Sequence, residues 1–221
     1  MLGEIFVQGI VNGSFYSLLA LGFALIFGAA RIVNLYHGSY YMLAAYFTYT
    51  FYNIGIPLIL AGIIALLIVA IIGYGIFKLI EPIRNNGVAV LIATIGLAFF
   101  TENLIKLFYG SGNKGLPHFI TIKNAAGAEV TSVKILGAIV SVDRIFALII
   151  ALVMIVLLWL FMEKTKMGKG VMAVAQDEEA AATVGINSKV VNTIAICFSA
   201  VLAGVAGIVT SPFLPMNEHM W

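Results

Sequence analysis

Few residues of this 221-residue chain have side chains that could do chemistry, and none forms a known catalytic pattern. The sequence contains no H-E-x-x-H, no paired-cysteine motif and no G-x-S-x-G. A nucleotide-binding loop needs Gly-Lys followed by serine or threonine, to cradle phosphate and hold magnesium. Lys169 follows Gly168 but precedes Gly170, and Lys114 follows Asn113, so both lysines fail this requirement. We therefore predict that the chain is not an enzyme, has no metal site or cofactor, and does not hydrolyse ATP by this route.

An acidic residue and a lysine stand four residues apart inside one apolar run. If this run lies in lipid, Glu102 and Lys106 each need a partner or a route to water, because a charge there costs about 2.5–3.5 kcal/mol. At this spacing they share one helix face, so the favoured interpretation is an ion pair whose charged ends snorkel outward. The other interpretation places Glu102 on a pathway for a polar solute.

Two further groups of polar residues interrupt apolar stretches. Asn12 and Tyr16 are one helical turn apart, and they either hydrogen-bond to a neighbouring helix or line a pathway for a small zwitterion. Asn34, His37 and Gly38 lie in the turn between the first two apolar runs, where Asn34 and His37 can cap the next helix and hydrogen-bond across the turn. A proton-relay role for His37 is less favoured, because no second titratable group accompanies it nearby.

The composition indicates what kind of structure positions these residues. Hydrophobic residues make up 62% of the chain and charged residues 10%, whereas soluble domains are about 25% charged. Such a chain cannot cover a water-facing surface, so we predict an integral membrane protein.

The net charge of +2 does not indicate a nucleic-acid partner, and the one cysteine, Cys197, is expected to be a buried hydrophobic residue. Glu4 and the lack of any lysine or arginine before Arg31 argue against a signal peptide, so the first apolar run is expected to be a membrane span.

Six segments are long and apolar enough, or nearly so, to cross about 30 Å of hydrocarbon as helices. They are residues 5–29, 36–52, 57–79, 88–109, 145–162 and 190–209. The second is the weakest, and we expect it to be a short or broken span. Because backbone groups in lipid must be paired within a segment, these segments are predicted to be helical. The predicted fold class is therefore all-α: one polytopic transmembrane domain over residues 1–221, a bundle of about six transmembrane helices.

Lysine and arginine in the connections predict the orientation. Three connections contain basic residues: the one with Arg31, the one with Lys78 and Arg84, and the segment 163–189. Two spans separate each of them from the next, so all three lie on the same side of the membrane. Because lysine and arginine are enriched in cytoplasmic connections, we predict that this side is cytoplasmic. The N-terminus and the loop 110–144 are then outside.

Two other patterns predict local structure. In the external loop, alternating residues at 119–123 and 129–134 flank a turn at 124–127, which predicts a small β-hairpin. Small residues spaced three or four apart predict close helix packing. They are Gly9, Gly13, Ser17, Ala20, Ala24 and Gly28 in the first span, and Ala200, Gly204 and Gly207 in the last.

The cytoplasmic segment 163–189 carries the strongest local signal. Residues 171–184 have helix-forming composition, Gly185 is a suitable stop, and Gly168 and Gly170 are expected to separate this helix from the preceding span. A short cytoplasmic helix bounded by glycines can dock into the groove of a partner subunit. An ordinary solvated connector is the alternative.

This segment resembles a known family. Glu179-Ala180-Ala181 and Gly185 match the EAA-x-x-x-G pattern of ABC importer permeases. Further stretches resemble the LivH-type branched-chain amino acid permeases, in the same order and at similar spacing across nearly the whole chain. They are residues 13–22, 32–38, 166–169 and 185–187.

The resemblance implies a permease subunit of an ATP-binding-cassette importer, which moves branched-chain or similar hydrophobic amino acids across a bacterial or archaeal cytoplasmic membrane. It implies as partners two ATP-hydrolysing subunits, a second permease subunit and an extracytoplasmic substrate-binding protein. Glu179, Ala180, Ala181 and Gly185 would form the ATPase-coupling contact, and the loaded binding protein would dock at the external loop. Asn12, Tyr16 and Glu102 are the candidates for a substrate pathway.

Two alternatives to an active importer subunit stay open at this point. One is a channel or a secondary carrier for a small solute, which would need charges along a path or broken helices in corresponding halves. The other is a permease fragment without transport of its own, because family members usually continue for two or more further spans and this chain is expected to be truncated.

Overall fold

The computed structural model describes residues 2–120, 122–123, 129–135 and 137–221. Within these ranges, eight α-helices follow one another along the chain. They are α1 (Leu2–Ala30), α2 (His37–Asn53), α3 (Leu58–Ile80), α4 (Gly87–Tyr109), α5 (Val142–Lys164), α6 (Lys166–Gln176), α7 (Glu178–Thr183) and α8 (Ser188–Thr210). A short 3-10 helix, Glu81–Ile83, follows α3. The predicted all-α fold class is confirmed.

Five of these helices, α1, α3, α4, α5 and α8, are long and apolar enough to cross a membrane. Large apolar side chains, such as Ile63, Leu67 and Ile71 on α3, are exposed on their outer faces, as expected for surfaces that contact lipid. By contrast, α2 has 17 residues and is about 25 Å long, which is shorter than the hydrocarbon core. The second predicted segment forms the helix α2, but it is not among the helices that can cross a membrane. In the described part of the chain, the predicted count of about six spans becomes five with a short buried helix among them.

The helix α8 forms the centre of the bundle, where it packs against α1, α2, α3 and α5. Small residues allow this packing. A Cβ atom on Gly207 would lie 2.0 Å from the carbonyl oxygen of Tyr41, and one on Gly204 would lie 3.1 Å from the Cβ atom of Ala44. The predicted close packing of the last span is therefore confirmed.

The small-residue stripe of α1 has a different environment. A Cβ atom added at Gly9, Gly13 or Gly28 would meet nothing within 4 Å among the residues that the structure describes. The helix buries larger side chains of its opposite face, including Phe15 and Leu18. Within this chain the core packing uses the bulky face, because that face buries more apolar surface. Close packing of the stripe against another helix therefore stays a prediction.

The loop between α4 and α5 contains two short antiparallel pairs of strands. Strand β1 (Ile122–Lys123) pairs with β2 (Glu129–Val130), and β3 (Ser132–Ile135) pairs with β4 (Ala138–Ser141). The first pair confirms the predicted hairpin, whose turn at 124–127 lies outside the described residues, although residues 119–120 are not part of a strand.

The second hairpin was not predicted, and it joins the loop to the first helix. Ala138 and Val140 are buried with Val11 of α1, and the side chain of Gln8 donates a hydrogen bond to the carbonyl oxygen of Ile139 (3.3 Å). The N-terminal half of α1 and the loop 110–144 therefore lie at the same end of the bundle, as predicted.

Candidate functional site

The basic residues of three connections gather at the opposite end of the bundle. Arg31 at the end of α1 contacts the end of α6, Arg84 before α4 contacts α7, and Lys189 at the start of α8 contacts Glu81 after α3. This grouping of Arg31, Arg84 and the segment 163–189 agrees with the predicted topology. That this end faces the cytoplasm stays a prediction.

The segment begins with a sharp turn between α5 and α6. The hydroxyl group of Thr165 donates to the carbonyl oxygen of Phe161 (2.7 Å) and accepts a hydrogen bond from the backbone N–H of Gly168 (2.9 Å), which caps α6. A Cβ atom on Gly168 would lie 2.2 Å from the carbonyl oxygen of Phe161, so only glycine fits this approach. Gly168 and Gly170 lie within α6, and the prediction that they precede the helix is wrong.

A break at Asp177 divides the predicted helix 171–184 into the end of α6 and the short helix α7. The carboxylate of Asp177 accepts a hydrogen bond from the backbone N–H of Ala180 (2.9 Å) and caps α7. At the other end, Gly185 has a φ of +83°. The N–H of Gly185 bonds to the carbonyl of Ala182 and the N–H of Ile186 to that of Ala181, which together form a Schellman motif. The predicted stop at Gly185 is confirmed.

Three of the four predicted coupling residues lie on different sides of this short helix, and Gly185 lies in the turn that follows it. Ala181 is 4% exposed and packs into the cluster that contains Val174 and Val191, so it holds α7 against the bundle. Glu179, Ala180 and Gly185 are exposed to solvent. The exposed residues are those that a partner protein can reach.

Three polar contacts tie α6, α7 and the start of α8 to other elements. The guanidinium of Arg31 donates to the carbonyl oxygens of Ala175 (3.4 Å) and Gln176 (3.2 Å), the last carbonyls of α6. The guanidinium of Arg84 lies 2.7 Å from the carboxylate of Glu178 in the first turn of α7. The ammonium group of Lys189, at the start of α8, lies 3.5 Å from the carboxylate of Glu81. Displacing α7 would strain its contact to the turn before α4, and displacing α6 and the start of α8 with it would also strain the contacts to α1 and to the end of α3.

A polar groove of about 630 Å³ lies beside α7. It is lined by charges of both signs, Arg31 and Arg84 facing Asp177, Glu178 and Glu179. Glu178 was not predicted to be part of the site. Its position had a signal in the sequence, because an aspartate that caps a helix, followed by two glutamates, is a pattern typical of a helix start.

The turn between α1 and α2 reaches farther into the bundle than the sequence indicated. His37 is buried beside Leu19 and Gly22, and Leu19 lies 11 residues, about 16 Å, before the end of α1. The irregular backbone before α2 is paired inside the protein, since Leu35 N–H donates to the Thr94 hydroxyl (3.3 Å). Membrane proteins tolerate non-helical backbone only where protein groups or water satisfy it.

The polar side chains of this turn have defined partners. Asn34 accepts a hydrogen bond from the backbone N–H of Tyr36 (3.1 Å), which confirms a bond across the turn, but no side chain caps α2. His37 Nε2 donates to the carbonyl oxygen of Leu19 (3.1 Å), because a carbonyl can only accept. The other ring nitrogen lies 3.1 Å from the hydroxyl of Ser199 on α8. His37 therefore joins α1, α2 and α8.

Glu102 has partners other than the one predicted. Its carboxylate accepts a hydrogen bond from Trp221 Nε1 (2.6 Å) and lies 2.8 Å from His219 Nδ1. In the part of the chain that the structure describes, Glu102 is paired with these residues and not with Lys106, because the chain after α8 folds back against α4.

The other two pathway candidates lie on α1. Tyr16 is 62% exposed, and Asn12, one turn before it, is half-buried. A pocket of about 230 Å³ is lined by Tyr16, Gly38 and Trp221 among others. Trp221 thus has Tyr16 on one side and Glu102 on the other, whereas Asn12 does not line this pocket. Within the described ranges, no three His, Cys, Asp or Glu side chains are placed to hold a metal ion.

Comparison with known proteins gives one consistent result. The family described as "Branched-chain amino acid transport system / permease component" matches residues 5–217. The chain is 28% identical over 217 residues to the high-affinity branched-chain amino acid transport system permease protein LivH of Salmonella typhimurium. The alignment covers 93% of this chain and 69% of the relative. It is 25% identical over 213 residues to the corresponding protein BraD of Pseudomonas aeruginosa, with 91% and 68% coverage. No solved structure is significantly similar.

Proposed function

Because the chain belongs to the family of branched-chain amino acid transport system permease components, we propose that α7 is the contact through which separate ATP-hydrolysing subunits move its membrane helices. The chain is a multi-pass protein of the cytoplasmic membrane, and it is a transport subunit of an ABC importer rather than an enzyme. Branched-chain or similar hydrophobic amino acids are its substrates. The channel or secondary-carrier alternative is not favoured, because the relatives named above are importer permeases.

The observation that carries this proposal is the two-sided environment of α7. One side is held by the buried Ala181 and by the ion pair from Glu178 to Arg84. The other side presents Glu179 and Ala180 to solvent. A helix that is packed against the bundle on one side and exposed on the other can bind a partner and transmit its movement to the bundle. A solvated connector would need neither the capped helix ends nor the ion pair between Glu178 and Arg84.

The ends of α7 support the same role. The capping carboxylate of Asp177 and the Schellman motif at Gly185 fix both ends of the helix. Asn187 then caps α8, its side chain accepting hydrogen bonds from the N–H groups of Lys189 (3.1 Å) and Val190 (3.3 Å). Every linker residue between α7 and α8 takes part in a turn or a cap, so the linker has little conformational freedom. We therefore expect α8 to move together with α7.

The full set of partners belongs to the same proposal: two ATP-hydrolysing subunits, a second permease subunit and an extracytoplasmic substrate-binding protein. The open stripe with Gly9, Gly13 and Gly28 on α1 supports a second permease, because small residues let another helix approach closely in lipid. The loop 110–144 lies at the opposite end from α7, which suits a binding protein that docks outside.

The substrate pathway is proposed to follow the open side of α1. Tyr16 and Asn12 lie next to the stripe, so a second permease packed there would enclose their polar groups between two subunits. Glu102 was the third candidate, and its pairing with Trp221 and His219 favours a role in holding the chain after α8.

Cysteine labelling tests the position of α7. Cys197 is first replaced by serine, and Glu179→Cys is then labelled in right-side-out and inverted membrane vesicles with a reagent that cannot cross the membrane. We expect labelling only in inverted vesicles, and protection when the ATPase subunits are bound. Ile139→Cys, at the other end and 69% exposed, is the control with the opposite accessibility. Labelling of Glu179→Cys from the outside would refute the proposal.

A functional test uses charge reversal. Glu179→Lys in the complete importer should leave membrane insertion intact but uncouple ATP hydrolysis from amino acid uptake. Normal uptake per ATP would contradict the coupling role even if the labelling places α7 inside.

A further inference from the structure

A second groove at the α7 end combines unpaired positive charge with an apolar floor. It encloses about 580 Å³ between the start of α6 and the start of α8. Lys166 and Lys169 lie on its rim, and Ala173, Ile186 and Val190 line its floor. In the described part of the chain neither lysine takes part in an ion pair, unlike Arg84 and Lys189 nearby. The groove thus differs from the one beside α7, where three carboxylates accompany the two arginines.

The groove lies where the bundle leaves the membrane. Trp159, 58% exposed near the end of α5, is of the residue type that anchors helices at the membrane–water interface. Lys164 ends α5 one turn later, and Lys166 begins α6. The two rim lysines are therefore at the level of the lipid headgroups. The positive end of the α6 dipole points the same way and adds to the attraction for an anion.

An apolar strip leads from this groove into the membrane. Val190 and Phe198 of α8 are two turns apart on one face and are 45% and 38% exposed, with the half-buried Ile194 between them. The ring of Phe198 stacks on Phe161 of α5, with 4.3 Å between the ring centroids. A flexible hydrocarbon chain that follows α8 from the groove would contact this strip over its whole length.

We propose that this groove binds an anionic phospholipid, with the phosphate between Lys166 and Lys169 and an acyl chain along Val190, Ile194 and Phe198. A phosphate joined to a hydrocarbon chain matches both halves of the surface, whereas a soluble phosphate would leave the apolar floor uncovered. Basic pockets between helices on the cytoplasmic side are suited to lipid headgroups. This inference rests on the membrane location of the bundle and does not depend on the coupling role of α7.

Native mass spectrometry of the purified importer complex tests the proposal. The complex is mixed with equal amounts of phosphatidylglycerol and phosphatidylcholine that carry the same acyl chains. We expect the wild type to retain phosphatidylglycerol preferentially, and Lys166→Gln and Lys169→Gln each to lower this preference about fivefold, or about thirtyfold together. Lys166→Arg with Lys169→Arg should retain it. Lys78→Gln, which removes one charge at the same end but outside the groove, should leave it unchanged.

A further variant distinguishes lipid binding in the groove from a general electrostatic attraction of anionic lipids to the lysines. Ala173→Phe keeps both lysines but fills the floor, so it should also reduce the retention of phosphatidylglycerol. An unchanged preference in this variant, or in the double glutamine variant, would overturn the proposal. Loss of ATPase subunits from the double variant with an unchanged lipid preference would identify the groove as a protein contact and would overturn it as well.

Discussion

The ion pair between Arg84 and Glu178 offers a direct test of whether α7 is mechanically connected to the bundle. The two side chains are 2.7 Å apart and 28% and 43% exposed. They join the turn before α4 to the first turn of α7. Because solvent screens a pair with this exposure, it stabilises the fold by only about 0.2–1 kcal/mol. Arg84→Ala should therefore leave expression and membrane insertion nearly unchanged.

The same free energy should have a measurable effect on transport. If the pair transmits movement of α7, its removal weakens the connection by up to about 1 kcal/mol, which corresponds to about a fivefold change in an equilibrium. We expect the amount of amino acid taken up per ATP hydrolysed to fall by up to about fivefold. ATP hydrolysis itself should continue, because the exposed residues of α7 are unchanged.

The assay measures uptake and ATP hydrolysis in the same proteoliposomes, which contain the complete importer. Lys78→Ala is the matched control, because it breaks an ion pair of similar length (3.1 Å, to Glu81) at the same end of the bundle. That pair spans less than one helical turn and does not reach α7, so the uptake per ATP should stay normal. Exchanging the two charges, Arg84→Glu with Glu178→Arg, should restore most of the lost coupling.

Two results would refute this reasoning. Wild-type uptake per ATP in Arg84→Ala would show that the ion pair transmits nothing. An equal loss in Lys78→Ala would show that the effect comes from the net charge of this end and not from the connection to α7.

Three further variants have expected outcomes. Gly185→Ala places a Cβ atom at a φ of +83°, where it strains the backbone, and should lower the free energy of unfolding by about 1–2 kcal/mol. The melting temperature of the purified complex should fall, and an unchanged value would contradict the expected backbone strain. Gly207→Ala would bring a Cβ atom to 2.0 Å from the backbone of Tyr41, so the protein should fail to accumulate in the membrane, and normal levels would argue against this packing. His37→Ala removes the buried hydrogen bonds to Leu19 and Ser199. At about 0.5–1.5 kcal/mol for each bond, the loss should be about 1–3 kcal/mol, measured by thermal denaturation, whereas His37→Gln should recover part of it.

The five long spans could be predicted from the sequence because each is a continuous apolar run of the length that a bilayer requires. The helix α2 was harder to define, because it starts inside the bundle and needs no full-length apolar run. Its buried residues include Tyr40, Tyr46 and Thr48, which reduce the apparent hydrophobicity although they face other helices and not water. The polar residues Asn34, His37 and Gly38 indicated a turn before this helix but not how deep in the bundle the turn lies.

The candidate site was located by its motif, but its geometry was not predicted. The break at Asp177 had a signal in the sequence, since an aspartate followed by two glutamates is typical of a helix start. Gly168 and Gly170 were interpreted as breaks because glycine often ends helices. Here Gly168 is inside α6 because α5 approaches too closely for any side chain. Whether a glycine breaks a helix or permits a contact depends on a neighbour that the local sequence does not identify.

The positions of α7, α8 and His37 suggest how a local movement at the α7 end of the bundle would reach its middle. The helix α8 follows α7 after a tightly capped turn, and it packs against the spans α1, α3 and α5 and against α2. Halfway along α8, Ser199 donates a hydrogen bond to the carbonyl oxygen of Gly22 (2.6 Å) and contacts His37 at the start of α2. A displacement of α8 along its axis would change these contacts first, because close packing at Gly204 and Gly207 leaves the outer half of α8 little room to move. Since α2 begins at His37 with non-helical backbone before it, this is also the place where the bundle can bend without breaking a continuous helix.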